Sequence, residues 1–178
     1  MFGKLFSKKE PSRFCDKSYI DWNAKKAAML AIANEDEQAV FLCWFRHTLE
    51  DLKDFFRQHQ QDESRIREAR TFHPGNNQRI IFTEHHPLHA KEVELINLWK
   101  QESFTVFNSM DEPFLLAFGG ERIARMMRAM GIKEEEAIEH RMISQSILNA
   151  QEKIAKKVMS ESPASSQAEW MKKNVNGK

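Results

Sequence analysis

The sequence predicts an α/β fold: a small parallel sheet flanked by helices, with a helical extension toward the C-terminal end. Three observations carry this. Residues 39–45 (AVFLCWF), 79–83 (RIIFT) and 104–108 (FTVFN) are short runs rich in aromatic and β-branched residues, too short for ordinary helices. Stretches with helical spacing separate them, the alternation that parallel sheets produce. Two longer apolar stripes at helical period then follow the last run with no strand between them.

In chain order, residues 1–13 read as a short arm closed by Pro11, in which Phe2, Leu5 and Phe6 alternate with lysines. Such an arm frays, or touches a membrane surface or a partner peripherally. Asp21 is placed to cap a helix to Asn34, with Trp22, Ala28, Met29 and Ile32 on its apolar side. The unbroken run 39–45 predicts a strand covered on both faces. Thr48 is placed to cap a helix from Leu49 to about Gln61, and the charged stretch 62–70 continues it or forms another. A turn at 73–77 leads to the second strand, then a helix over 88–100, then the third strand. Pro113 opens a helix bearing Phe114, Leu115 and Phe118 that ends at Gly119-Gly120.

Ile123, Met126, Met127 and Met130 stand at i, i+3, i+4 and i+7, an inward-packing stripe stopped by Gly131. Ile143, Ile147, Ala150, Ile154 and Val158 form a second stripe. Beyond Met159 the chain is polar, with Trp170 standing alone as either a docking anchor or a residue folded back onto the domain. The expected division is an arm (1–13), an α/β domain (14–120), a helical segment (121–159) and a polar tail (160–178).

Net charge is +1 and charged residues make up 30% of the chain. Acids are dispersed among the Lys and Arg, so no nucleic-acid partner is expected. Cys15 and Cys43 form no CxxC pair and suit a reducing compartment. No run reaches the length of a membrane span, and the N-terminus lacks an apolar h-region. A cytoplasmic protein is expected, peripheral at most to the inner face of the membrane.

Chemistry-bearing residues cluster after the strands. In open parallel sheets ligands bind beyond the carboxyl ends of strands. Arg46, His47 and Thr48 follow the first, Glu84, His85 and His86 the second, Ser109, Asp111 and Glu112 the third. Arg46, His47, Thr48, Glu84, His85, His86 and Asp111 are therefore the candidate crevice for a small ligand or a partner loop. His85, His86 and His89 are candidate metal ligands, but Pro87 interrupts them and no HExxH is present. No metal or cofactor is expected. No Ser nucleophile elbow or placed Cys appears, so no catalytic residue is assigned. An unpartnered stripe seeks cover, which makes Ile143, Ile147, Ile154, Val158 and Trp170 candidate partner-binding residues. A metal- or small-ligand-dependent enzyme centred on Glu84–His89 is the alternative.

Residues 119–158 carry a resemblance. Glu121, Arg122, Met126, Met127, Arg128, Met130, Gly131, Ala137, Ile138, Glu139, His140, Ile147, Asn149, Ala150 and Gln151 match the SecA family of bacterial preprotein-translocase motors, where the second nucleotide-binding domain runs into the helical scaffold. Thr83, Glu84 and His86 resemble that family's Thr-Glu-x-His, and Phe104, Ser109, Asp111, Leu115 and Phe118 fall along its last strand and following helix. Read this way the likeness spans roughly two-thirds of the chain. It implies a P-loop NTPase or RecA-like remnant. Yet no GxxxxGK[ST] occurs, the string whose backbone N–H groups and Lys cradle phosphates. The 88–100 segment contains neither arginine nor glycine, so the family's arginine finger has no counterpart there. The resemblance thus implies a non-catalytic interaction module, with the Sec machinery or a secretory client as partner.

Overall fold

The computed structural model describes residues 13–99, 101–133 and 136–176. The arm residues Phe2, Leu5 and Phe6 lie outside the described residues, as do Glu134 and Glu135. The expected α/β architecture is present as five parallel strands: β1 (Phe14–Tyr19), β2 (Ala39–Cys43), β3 (Ile66–Glu68), β4 (Arg79–Phe82) and β5 (Phe104–Ser109). Their spatial order is β1-β5-β4-β2-β3. The three runs that alternate with helical segments are the three central strands, and β1 and β3 flank them.

Seven α-helices complete the order: α1 (Trp22–Glu35), α2 (Arg46–Gln58), α3 (His89–Ile96), α4 (Pro113–Leu116), α5 (Gly120–Ala129), α6 (Arg141–Ala155) and α7 (Gln167–Met171). Side chains alternate across the pleat, so each strand feeds two cores. Phe41, Cys43, Ile66, Ile81 and Phe107 meet Met29 and Ala33 of α1 and Leu52 and Phe56 of α2. Val40, Leu42, Ile80, Phe82, Phe104 and Val106 meet Leu95 and Ile96 of α3, Met127 of α5, Ile147 and Ile154 of α6, and Trp170 of α7. Burying one such aromatic or branched side chain contributes about 1.5–3 kcal/mol. Coverage on both faces is why the central strands read as unbroken apolar runs.

Asp21 caps α1 as expected, its side chain accepting from Ala24 N at 2.9 Å. α2 departs from expectation. It starts at Arg46, and Thr48 does not cap it. The Thr48 hydroxyl instead donates to Glu84 Oε2 at 2.9 Å, because the turn after β4 brings Glu84 beside the start of α2. The 62–70 stretch holds two short 3-10 turns around β3 rather than a helix.

Gly119 precedes α5 and Gly120 opens it. Gly119 sits at φ +95° as the residue before α5, a conformation L side chains rarely adopt. Gly120 lies against the Met110 carbonyl, where a Cβ would overlap the oxygen. Gly131, at φ +74°, stops the helix region as the sequence indicates. The methionine stripe packs inward only in part. Met127 is buried, whereas Met126 and Met130 are 57% and 73% exposed, because α5 turns one narrow side to the core. Beyond α5, Ile138 exchanges backbone hydrogen bonds of 2.9 and 3.0 Å with Ser18 and so covers the open edge of β1.

The second stripe needs no external partner. Ile147, Ala150 and Ile154 of α6 are buried in the chain's own core, with Ile143 and Val158 packed against it. The 160–176 segment likewise folds back. Ser166 caps α7 by accepting from Glu169 N, and Trp170 is fully buried with its Nε1 donating to Glu161 Oε1 at 2.8 Å. Folding back removes that indole from water and pairs its N–H, the two needs of a buried tryptophan.

Candidate functional site

Two polar clusters lie beyond the carboxyl ends of the strands. The first is centred on His85. The turn after β4 places its ring between β1 and α3, with Nε2 2.6 Å from Asp16 Oδ1 and Nδ1 2.8 Å from Glu92 Oε1. All three side chains are at most 5% exposed. Glu92 also accepts from His86 N at 2.8 Å and from Gln151 Nε2 at 2.8 Å, and lies 3.0 Å from His89 Nδ1. Burial alone favours a neutral imidazole, but the Glu92 and Asp16 carboxylates outweigh it and hold His85 well above its ordinary range. Burial likewise raises a carboxyl, yet the charge and hydrogen bond of His85 with those of His89 and Gln151 bring Glu92 down to about 2. Charged and fully bonded on both ring nitrogens, His85 has no lone pair for a metal.

His86 points elsewhere. Its Nδ1 accepts from Leu88 N at 3.0 Å, while the ring stacks on Phe45 and meets Trp44 and Trp170 edge-on. Nε2 faces Glu161 Oε1 at 3.2 Å without hydrogen-bond geometry. Burial pushes His86 toward its neutral form against the opposing pull of Glu161 and Glu92. Among the described residues no group of three or more His, Cys, Asp or Glu is arranged to hold a metal ion.

The second cluster is centred on Lys25 and Glu112. Lys25 of α1 is fully buried, its Nζ donating to Glu112 Oε1 at 2.5 Å and to Thr83 O at 2.7 Å. Glu112 Oε1 also accepts from Ser109 N at 2.8 Å. Beside it, Glu84 Oε1 accepts from Trp44 N at 3.1 Å and Phe45 N at 3.2 Å, the residues that enter α2. Helix N-termini attract anions, and here a carboxylate of the chain sits just ahead of one, on the two backbone N–H groups that lead into α2. Burial, reinforced by the Glu112 carboxylate and opposed by Lys25, Thr48 and Phe45 N, raises Glu84 to about 7.

Over this second cluster opens a crevice of about 340 Å³. His47, Thr48, Glu84 and Asp111 line it, as the strand-end reading expects, together with Trp22, Asp51, Ser109, Glu112 and the 166–168 segment. Three expected members are not in it. Arg46 turns outward to pair with Glu50 at 2.7 Å, because α2 starts there. His85 and His86 face away into the first cluster and the aromatic core. Sequence reading missed Asp16, Lys25, Glu92, Gln151 and Gln167. Glu92 alone left a trace, standing three and four residues before Leu95 and Ile96 on the inward side of α3. Gln151 donates to His86 O at 2.8 Å and Gln167 to His85 O at 3.3 Å, while Gln167 accepts from Phe114 N at 2.8 Å. Helices α6 and α7 are thereby tied to the β4–α3 turn.

Comparison with known proteins places one stretch of the chain. SecA translocase subunits of Psychrobacter sp. (strain PRwf-1) and Psychrobacter arcticus (strain 273-4) are 54% identical to it over 48 residues, 27% of this chain and 5% of theirs. That of Acinetobacter baumannii (strain AYE) is 54% identical over 46 residues, 26% of this chain and 5% of its own. A segment of this chain is SecA-related. The likeness to SecA covers about a quarter of the chain in these matches, against the two-thirds over which the resemblance was read. The chain spans about one-twentieth of the length of those SecA relatives. No family model matches the chain. Among the described residues no helix is long and apolar enough to cross a membrane.

Proposed function

We propose that this chain is a non-catalytic, SecA-related interaction module that binds a protein and serves preprotein translocation. Its α/β part is a degenerate P-loop NTPase framework, and its partner is a component of the Sec machinery or a secretory client. The module acts in the cytoplasm, and its contact with the membrane is at most peripheral, through Phe2, Leu5 and Phe6.

One observation carries the reading: the Glu84 carboxylate takes the two backbone N–H groups that lead into α2, those of Trp44 and Phe45, while His47 N inside the helix is taken by Ser165 O. A phosphate entering there would find those N–H groups already taken. Two further buried cations are also committed within the chain, Lys25 to Glu112 and His85 to Asp16 and Glu92.

The experiment has two arms. Thermal unfolding with millimolar Mg-ATP or Mg-ADP is expected to show no rise in Tm; a rise of several degrees, or measurable hydrolysis, would refute the non-catalytic reading. Affinity capture from a native bacterial lysate followed by mass spectrometry is expected to recover a Sec component or an unprocessed secretory protein. Recovery of neither, at bait levels that capture a known binary partner of a control protein, would count against the translocation role.

A further inference from the structure

We infer that the strand-end crevice is a receptor for a basic side chain, an arginine or lysine presented by a protein partner. The inference rests on the interaction-module reading and specifies the partner's chemistry. Four carboxylates line the cavity (Asp51, Glu84, Asp111 and Glu112), and no lysine or arginine does; His47 is the one basic residue in the lining. Lys25 stands behind this wall, fully buried, and answers Glu112 through a single oxygen.

The second observation is Glu112 itself. The residue is 6% exposed, and its Oε1 takes Lys25 Nζ, Ser109 N and the Ser109 hydroxyl. Its Oε2 meets no donor at all. Buried carboxylate oxygens are normally satisfied, and one left bare carries the desolvation cost of the group without return. Both neighbours that could share a proton or a hydrogen bond are engaged elsewhere. Glu84 is turned to Trp44 N, Phe45 N and Thr48, and Asp111 Oδ2 accepts from Trp22 N at 3.0 Å. The crevice, which Glu112 lines, is the open side from which a donor can come.

The donor's chemistry follows from the surroundings. An anion is repelled by the lining. A metal ion lacks a ligand set, since no three-residue metal-binding group exists among the described residues. A guanidinium or ammonium supplies several N–H donors and one positive charge on a slender stem. Such a head reaches Glu112 while its stem lies along Trp22 and Pro113.

The test is a titration of the full chain followed by amide and indole NMR shifts. Capped Gly-Arg-Gly, Gly-Lys-Gly and Gly-Glu-Gly peptides are the probes. The basic peptides are expected to move the Ser109 amide and the Trp22 indole saturably, with Kd on the order of 1 mM, and the acidic peptide to move neither. Asp51→Asn and Asp111→Asn are expected to weaken binding roughly tenfold, while Glu37→Gln, exposed at the opposite end of β2, leaves it unchanged. Glu112→Gln tests the bare oxygen directly. Should that variant unfold because Lys25 is left unmatched, the Asp51 and Asp111 variants decide alone. Equal shifts from the acidic peptide, an equal loss in Glu37→Gln, or no shift at Ser109 and Trp22 would overturn the assignment. The two readings fail separately: a Sec partner captured from lysate while the peptides stay silent sinks the crevice receptor only, and binding peptides without a Sec partner sink the translocation role only.

Discussion

The two buried ion clusters at the strand ends each pair a buried base with carboxylates, His85 with Asp16 and Glu92 in one and Lys25 with Glu112 in the other, and they differ in what lies above them. In the first cluster, both ring nitrogens of His85 and both oxygens of Glu92 meet partners, and α6 closes the cluster through Gln151. Around Lys25, one oxygen of Glu112 is bare and a crevice stands open over Glu84 and Glu112. The contrast separates a device that holds the fold from one with capacity to spare. Desolvation of charge is tolerated where pairing is complete. Incomplete pairing beside a cavity marks where binding energy is still to be gained.

Breaking the sealed cluster should cost most. His85→Ala leaves Asp16 and Glu92 facing each other in a dry site, and a loss of about 3–5 kcal/mol in urea-unfolding stability at neutral pH is expected. Lys25→Met strands Glu112 in the same way, but water can reach that side through the crevice; a smaller loss, about 2–3 kcal/mol, is expected by the same measurement. Equal losses in the two variants would erase the distinction drawn between them.

The clusters should also diverge with pH. Glu92 is held at about 2 against an ordinary 4.5, so its contribution is present above 4.5 and is lost as pH falls toward 2. His85 is raised above its ordinary 6.5, so its contribution is complete below 6.5 and fades as pH climbs through the folded value. Glu84 runs the other way for an acid. Its folded value of about 7 exceeds 4.5, the folded state binds the extra proton between those values, and stability falls as pH rises across that window. Glu84→Gln keeps an acceptor for Trp44 N and Phe45 N while removing the charge. Its unfolding free energy relative to the parent should therefore grow from pH 4.5 to 7, by on the order of 2–3 kcal/mol; a difference constant with pH would remove Glu84 as its source. Smallest of all, Asp51→Asn at the exposed rim should leave the urea midpoint unmoved, so any change in peptide binding reports the crevice alone.

Legibility of the fold in the sequence tracked burial. Ala39–Cys43, Arg79–Phe82 and Phe104–Ser109 lie inside the sheet and announce themselves as apolar runs. Phe14–Tyr19 did not, because Asp16, Lys17 and Ser18 break its apolar pattern, and Asp16 is buried only by virtue of His85 sixty-nine positions away. Thr48 suggested a local cap, yet α2 has no side-chain cap and the Thr48 hydroxyl donates to Glu84, thirty-six positions away; short-range rules cannot see a carboxylate delivered by a neighbouring strand. In the crevice, His47, Thr48, Glu84 and Asp111 followed from strand ends alone. Lys25 could not, since a lysine within a helix looks like a solvent-facing one until its distant carboxylate is placed beside it. Trp170 stayed ambiguous for a related reason: its pocket is assembled from His86 and the α4–α6 region, and no local pattern in a polar tail encodes that.

Position 120 sets a tolerance for the whole assembly. With only a hydrogen facing the Met110 carbonyl, the fifth helix can press directly on the backbone that leaves the last strand. Add a methyl group and the overlap must be relieved by levering that helix outward, drawing Ala124 and Met127 from their seats in the core. The seam between the sheet and the helices that follow is thus kept shut by the smallest side chain available.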